Sequence, residues 1–276
     1  MDLLLKDKKI LVTGADDDYA GSQVVKDLLN EGSIVYALGE KPVEKTSLKD
    51  SSGNKNLIYK NINHIENLVD YSKEFMDSYF IGKLDGIAFC HEKRGRDKIK
   101  EGKNIVTYNS LDDFFKTNVY STILMMENFK DKISGGGSVV MLGTIESKLA
   151  AGFTIGYASS KSALLGVLNN YAMQLGERQI RVNMVSKGNI LTKEKLALLE
   201  KNPATMDLTN RFGGRAALSR NLVPEEVSFQ IVNLLSPRNS GITGQDILID
   251  AGFSIALYDK GSWPMDAIEG YRRKDS

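Results

Sequence analysis

Tyr157-Ala158-Ser159-Ser160-Lys161 sets a phenol and an ammonium four residues apart, a spacing that places both on one face of a helix. A free phenol titrates near pH 10 and is a poor base at neutral pH, but a neighbouring cation favours its phenolate and lowers that value. Such a pair can exchange a proton with an oxygen on a reacting carbon. The spacing by itself says little, because Tyr79 and Lys83 repeat it among the 11 tyrosines. Context separates the two pairs. Thr144 stands thirteen residues before Tyr157 (157 − 144 = 13), just past the apolar run 138–142, and offers a hydroxyl. The matching position before Tyr79 is Glu66, which can do no equivalent job. Asn118, in Phe115-Lys116-Thr117-Asn118-Val119, adds a carboxamide from a helical stretch.

A second constellation is the turn Thr13-Gly14-Ala15-Asp16-Asp17-Asp18-Tyr19-Ala20-Gly21. Glycines let a backbone approach a phosphate closely, and the first turn of a helix presents unpaired N–H groups to it. Gly14 and Gly21 are suitably placed, but Tyr19 stands where a middle glycine is expected, among three carboxylates. One carboxylate about 6 Å from a phosphate charge costs about 3 kcal/mol at an effective dielectric of ~20, and under about 1 kcal/mol in water. Inward-pointing aspartates would abolish dinucleotide affinity, whereas outward-pointing ones would matter little; both orientations stay open. Gly39-Glu40-Lys41 follows the second apolar run. An acid there can hold ribose hydroxyls and repel a 2′-phosphate, or it can be a solvated loop charge.

These residues need a frame. Residues 9–13, 33–38, 56–59, 84–90, 138–142, 179–185 and 246–249 read as short strands. Helical spacing covers 21–31, 66–80, 111–130, 156–176 and 224–235. Strands separated by single helices pair in parallel through crossovers. The expectation is therefore one α/β domain over 1–276, a doubly wound parallel sheet of about seven strands with helices on both faces. A polar loop is expected over 93–110. The stretch 190–223 has no evident strand or helix role and reads as a substrate lid, and 254–276, with Trp263, reads as a C-terminal extension packed on this subunit or a neighbour.

Composition narrows the function. Lys plus Arg number 36 and Asp plus Glu 35, a formal net charge of +1 that argues against a nucleic-acid or anionic-membrane binder. The single cysteine, Cys90, excludes an internal disulfide. No apolar run approaches the ~20 residues of a membrane helix. The start of the chain has too few apolar residues for a signal peptide, so a cytoplasmic protein is expected. His64, His91 and Cys90 are the only soft ligands, which makes metal catalysis unexpected.

Taken in order, these features resemble the short-chain dehydrogenase/reductase (SDR) family across residues 8–253. The matches are Thr13-Gly14 with Gly21; Asn61-Ile62; Asn118; Thr144, Tyr157 and Lys161; Arg181-Val182-Asn183; Gly188-Asn189-Ile190-Leu191-Thr192; and Thr243-Gly244-Gln245 with Asp250-Ala251-Gly252. The resemblance implies a single-domain Rossmann-type fold and hydride transfer between a nicotinamide and a small carbonyl or secondary alcohol. It makes Tyr157 the general acid/base, Lys161 the group that lowers its pKa and Thr144 the holder of the substrate oxygen. Asn118 would position a water that passes protons to Lys161. Gly14, Tyr19, Gly21, Glu40, Asn61, Ile62, Cys90, Tyr157, Lys161, Ile190 and Thr192 are the implied cofactor contacts. NAD(H) is expected ahead of NADP(H), and a homodimer or homotetramer is implied, with contacts through the helices around 111–130 and 156–176.

The chain also departs from the family's pattern. Phe89-Cys90-His91-Glu92 replaces small residues at the end of strand four, Lys187 replaces a proline before Gly188, and the glycine turn is one residue longer than usual. These changes define an alternative: an SDR-fold protein with weak or no dinucleotide binding, doing non-redox proton chemistry or acting as a binding protein. The ending Gly252-Phe253-Ser254-Ile255-Ala256 looks like enoyl-acyl carrier protein reductases, which place the tyrosine seven residues before the lysine. Here that position is Thr154 (161 − 7 = 154), so carbonyl/alcohol chemistry is the expectation. His91 and Cys90 read as core residues, and Arg211, Arg215 and Arg220 as solvated lid charges rather than a clamp for a substrate anion.

Overall fold

The computed structural model describes residues 2–64, 68–79, 82–95, 98–100 and 103–256. Seven strands form one parallel sheet: β1 (Lys9–Thr13), β2 (Ile34–Gly39), β3 (Leu57–Asn61), β4 (Leu84–Phe89), β7 (Ile133–Thr144), β8 (Arg181–Lys187) and β9 (Asp246–Ile249). Their order is β3-β2-β1-β4-β7-β8-β9. The helices are α1 (Gly21–Asn30), α2 (Leu68–Tyr79), α3 (Tyr108–Phe115), α4 (Ser121–Phe129), α5 (Ile155–Leu175), α6 (Lys193–Leu199), α7 (Pro203–Arg215) and α8 (Pro224–Leu235).

Successive residues of a strand point to opposite faces, and in β1 each face meets its own layer of helices. Ile10 and Val12 pack with Val24, Val25 and Leu28 of α1 and Val227 and Ile231 of α8. Leu11 packs on the other face with Phe75 of α2, Met125 and Phe129 of α4, and Leu164 and Leu168 of α5. A strand covered on both faces reads as a continuous apolar run, which is why Lys9–Thr13 shows no alternation. Parallel pairing brings all the strand ends to one edge: Thr13 lies beside Phe89, Phe89 beside Met141, and Thr144 beside Lys187.

The doubly wound α/β arrangement matches the expectation, with four corrections. First, the expected loop 93–110 contains an antiparallel hairpin of β5 (Lys98–Lys100) and β6 (Lys103–Ile105), whose lysines mask its strand character. Second, the helix expected over 111–130 is two helices joined by a π-helical turn at Lys116–Tyr120. The Ser121 and Thr122 hydroxyls bond back to the carbonyls of Thr117 and Asn118 there, in competition with the helix's own ladder. Third, β7 begins five residues before the expected 138 (138 − 133 = 5), because Gly135–Gly137 lie within the strand instead of ending it. Fourth, the segment 190–223 is not without structure. It carries α6, capped by the Thr192 hydroxyl, which accepts from the Lys195 N–H, and α7. Of the expected C-terminal extension, residues 257–276, Trp263 included, lie outside the described residues, as do 66, 67 and 80 of the expected helix 66–80.

Candidate active site

The first two turns of α5 and the end of β7 bring the proton-transfer candidates together. Tyr157 and Lys161 are both buried, as is Thr144. The Thr144 hydroxyl accepts from the Glu146 N–H at 3.3 Å and lies close enough to the Tyr157 phenol to pull its pKa down, and the Lys161 ammonium donates to the Leu142 carbonyl at 2.8 Å. Asn118 sits in the π-helical turn, and its amide donates to Ser160 Oγ at 2.9 Å. The rest of that carboxamide grips the backbone after β4: Oδ1 accepts from the Lys93 N–H at 2.7 Å and Nδ2 donates to the Lys93 carbonyl at 3.1 Å. Asn118 therefore fixes the main chain between Glu92 and Arg94.

Glu92 organises the centre of the site. Its side chain has no solvent exposure. Oε2 accepts from the Tyr157 hydroxyl at 3.0 Å and lies 3.2 Å from Lys161 Nζ. Oε1 lies 3.1 Å from Lys187 Nζ and 3.3 Å from Arg94, at ion-pair distance but without a well-aligned hydrogen bond. Burial would push the carboxyl up, but the charges of Lys187, Lys161 and Arg94 outweigh it and hold Glu92 well below the usual carboxylate range. Burial pushes the Tyr157 phenol well up, and the Glu92 charge adds to that. Burial pulls Lys161 down, against the opposing pull of Glu92. With Glu92 in place, Tyr157 is a hydrogen-bond donor and not a ready base.

Arg94 continues this network across the crevice. Its second guanidinium nitrogen pairs with Asp17 at 3.1 Å, and its plane lies 3.8 Å from the centre of the Tyr19 ring. The question of where the turn's carboxylates point has a different answer for each. Asp16 accepts from the Glu40 N–H at 3.0 Å, Asp17 points in to Arg94, and Asp18 accepts from the Ser22 hydroxyl at 3.4 Å. Asp17 also occupies donors of the turn: its carboxylate takes the Tyr19 N–H and its carbonyl takes the Ser22 N–H.

The crevice at this edge measures about 350 Å³. Of the expected cofactor contacts, Gly14, Tyr19, Glu40, Ile62 and Thr192 line it. Gly21 packs on the Gly14 carbonyl, where a Cβ would come within 1.9 Å. Asn61 turns its Oδ1 to the Asn63 N–H, and Cys90 and Ile190 are buried in the core. Tyr157 and Lys161 do not line the crevice; Glu92 lies between them and it. His91 is buried, with Nδ1 at 2.6 Å from Thr13 Oγ1 and Nε2 at 2.9 Å from Ser121 Oγ. Arg211 and Arg220 pair with Asp207 and Glu226 at the surface.

A dinucleotide fits part of this site. Gly14 lines the crevice beside α1, although the space a side chain would take there is filled by the His91 backbone; Ile62 offers an apolar wall and Glu40 a carboxylate at the end of β2. Tyr157 and Lys161 carry the hydroxyl and ammonium that would hold a ribose, and Glu92 alone already occupies both. Sequence reasoning singled out Glu92 and Lys187 only as departures from a pattern. Their opposite signs, at the ends of β4 and β8, were the available signal that they pair.

Comparison with known proteins places this geometry in context. A family model described as "Enoyl-(Acyl carrier protein) reductase" matches residues 21–254. The chain is 28% identical over 178 residues to the NADH enoyl-[acyl-carrier-protein] reductase FabI of Bacillus subtilis, covering 63% of this chain and 66% of that protein. It is 26% identical over 257 residues to the 7alpha-hydroxysteroid dehydrogenase of Clostridium sardiniense, covering 90% and 94%. Two other curated relatives are matched over 59% and 45% of their lengths. A solved short-chain dehydrogenase/reductase from Serratia marcescens superposes with a TM-score of 0.76 at 23% identity, covering 91% of this chain and 99% of that one.

Proposed function

Because this chain belongs to the short-chain dehydrogenase/reductase family, we propose that it is an NAD(P)-dependent oxidoreductase acting on a small carbonyl compound or secondary alcohol. The observation that carries this reading is the convergence of Thr144, Tyr157 and Lys161 at one strand edge. The nicotinamide supplies or accepts the hydride when bound. The chain's own residues place the substrate and manage the proton. Thr144 hydrogen-bonds the substrate oxygen, and Tyr157 delivers a proton to it in reduction or takes one in oxidation. Lys161, its ammonium held by the Leu142 carbonyl, stabilises the phenolate left behind. Asn118 positions Lys93, and so the segment that borders the site. Glu40, at the mouth of the crevice, favours NAD(H) over NADP(H). Helices α4 and α5, with Leu124 and Met173 exposed, supply the surface for a homodimer or homotetramer.

The test is titration with NADH and NADPH, followed by nicotinamide fluorescence, with turnover assayed on small ketones and alcohols. Tyr157→Phe lowers dinucleotide affinity far less than turnover, because Lys161 still holds its side of the contact, and loses turnover by about 10²–10⁴-fold. Equal loss of both contradicts the acid/base role, and no binding at millimolar dinucleotide ends the oxidoreductase reading. A second reading is favoured by Glu92, which occupies Tyr157 and Lys161. On it, the protein binds dinucleotide weakly or not at all, and uses the same three residues in non-redox proton chemistry or as a binding site.

A further inference from the structure

We propose that Glu92 is an internal occupant of the inner end of the crevice, and that its carboxylate competes with a dinucleotide for Lys161 and Tyr157. The inference rests on the oxidoreductase reading, and it makes Glu92 the residue that sets dinucleotide affinity.

Three observations support it. Glu92 makes, with one side chain, the contacts to the phenol and the ammonium that a polyhydroxyl ligand would need. It is also matched by its surroundings. Lys161 and Lys187 are almost fully buried, and buried cations without a counter-charge are strongly destabilised. Without the carboxylate, two ammonium groups would face one void, a site for an anion or for hydroxyl oxygens. Finally, the segment has a defined way to yield. Asn118 holds both the N–H and the carbonyl of Lys93, so the backbone is pinned between the two interacting residues. The parts left to move are the side chains of Glu92 and Arg94, and Arg94 is 35% exposed. Release is a side-chain exchange in which Arg94 lets go of Glu92, not the swing of a lid.

The experiment compares NADH binding to the wild-type protein, Glu92→Gln and Glu92→Ala by fluorescence titration and by the melting shift at saturating NADH. The near-isosteric glutamine keeps the volume of the site if alanine fails to fold. A site whose open form is a tenth of the population or less binds about tenfold more weakly than a permanently open one. Affinity is therefore expected to rise in the order wild type, glutamine, alanine, by about tenfold or more overall. Acetate, at ionic strength matched with chloride, is expected to weaken NADH binding to Glu92→Ala and to leave the wild type unaffected, since it refills the vacated place. Equal NADH affinity in all three proteins overturns the competition and leaves the oxidoreductase reading standing. No NADH binding by any of them overturns both. Failure of acetate to compete in the alanine variant overturns the assignment of the void to Lys161 and Lys187.

Discussion

The corner formed by the β1–α1 turn and the end of β4 lines the crevice, the corner of β7 and α5 lies behind Glu92, and the two are held by different forces. In the β7–α5 corner, Thr144, Tyr157 and Lys161 lie within seventeen positions of one another (161 − 144 = 17); the Leu142 carbonyl holds Lys161, and Tyr157 and Lys161 both meet Glu92. In the other, Asp17, Glu92 and Arg94 form a chain of ion pairs that reaches across to Lys187 and Lys161. The charges of this second corner make sense only as a set, since a buried carboxylate is tolerable only beside its cations.

That contrast can be broken most strongly at Lys187. Lys187→Met leaves the buried Glu92 short of a cation and is expected to cost about 3 kcal/mol in urea unfolding. Glu92→Gln in the same chain recovers most of the loss, because the two changes are coupled through one contact. Additive losses would show that the ion pairs do not act together. A smaller effect is expected where the second corner depends on bare backbone. A Cβ on Gly21 would lie 1.9 Å from the Gly14 carbonyl, so Gly21→Ala should destabilise by about 1–3 kcal/mol. A melting temperature equal to wild type would mean that the turn yields freely.

Acid sharpens the comparison further. Burial, aided by the Lys161 charge, pushes His91 down to about 3 from an ordinary 6.5. The unfolded chain thus takes up this proton well before the folded one does. The stability that neutral His91 contributes is complete above about pH 6.5 and drains away as the pH falls towards 3, by up to about 1.4 kcal/mol per pH unit. Glu92, held low in the folded chain, adds its own loss only below the ordinary carboxylate range. Urea midpoints between pH 7 and about 5 therefore report His91, and His91→Gln should flatten them. The least change is expected on α7. Arg211, paired with Asp207 on an exposed face of α7, can become alanine without a measurable shift in melting temperature or NADH affinity. A large shift there would give the α7 charges a role now assigned to the crevice.

How much of this was legible in the sequence depended on whether the information was local. The strand and helix alternation showed because each element carries its own apolar pattern, and the candidate set around Tyr157 could be singled out because Tyr157 and Lys161 share one helix. The β5–β6 hairpin did not, since its strands are three residues each and rich in lysine. The π-helical turn depends on side chains that bond back to the helix carbonyls, which no periodicity reports. The α6 and α7 helices lie in a segment whose apolar spacing is weak. The ion-pair chain was hidden for a different reason: it joins positions 17, 92, 94, 161 and 187, and only the folded strand edge brings them together.

Gly14 has one more consequence. A Cβ there would lie 2.6 Å from the backbone of His91, so the loop after β1 and the tip of β4 rest against each other with no side chain between them. They form one mechanical part. Anyone wishing to graft a conventional phosphate-binding turn onto this protein would have to redesign residues 13–21 and 89–94 together, because reshaping the first alone would press directly on the peptide that carries Glu92.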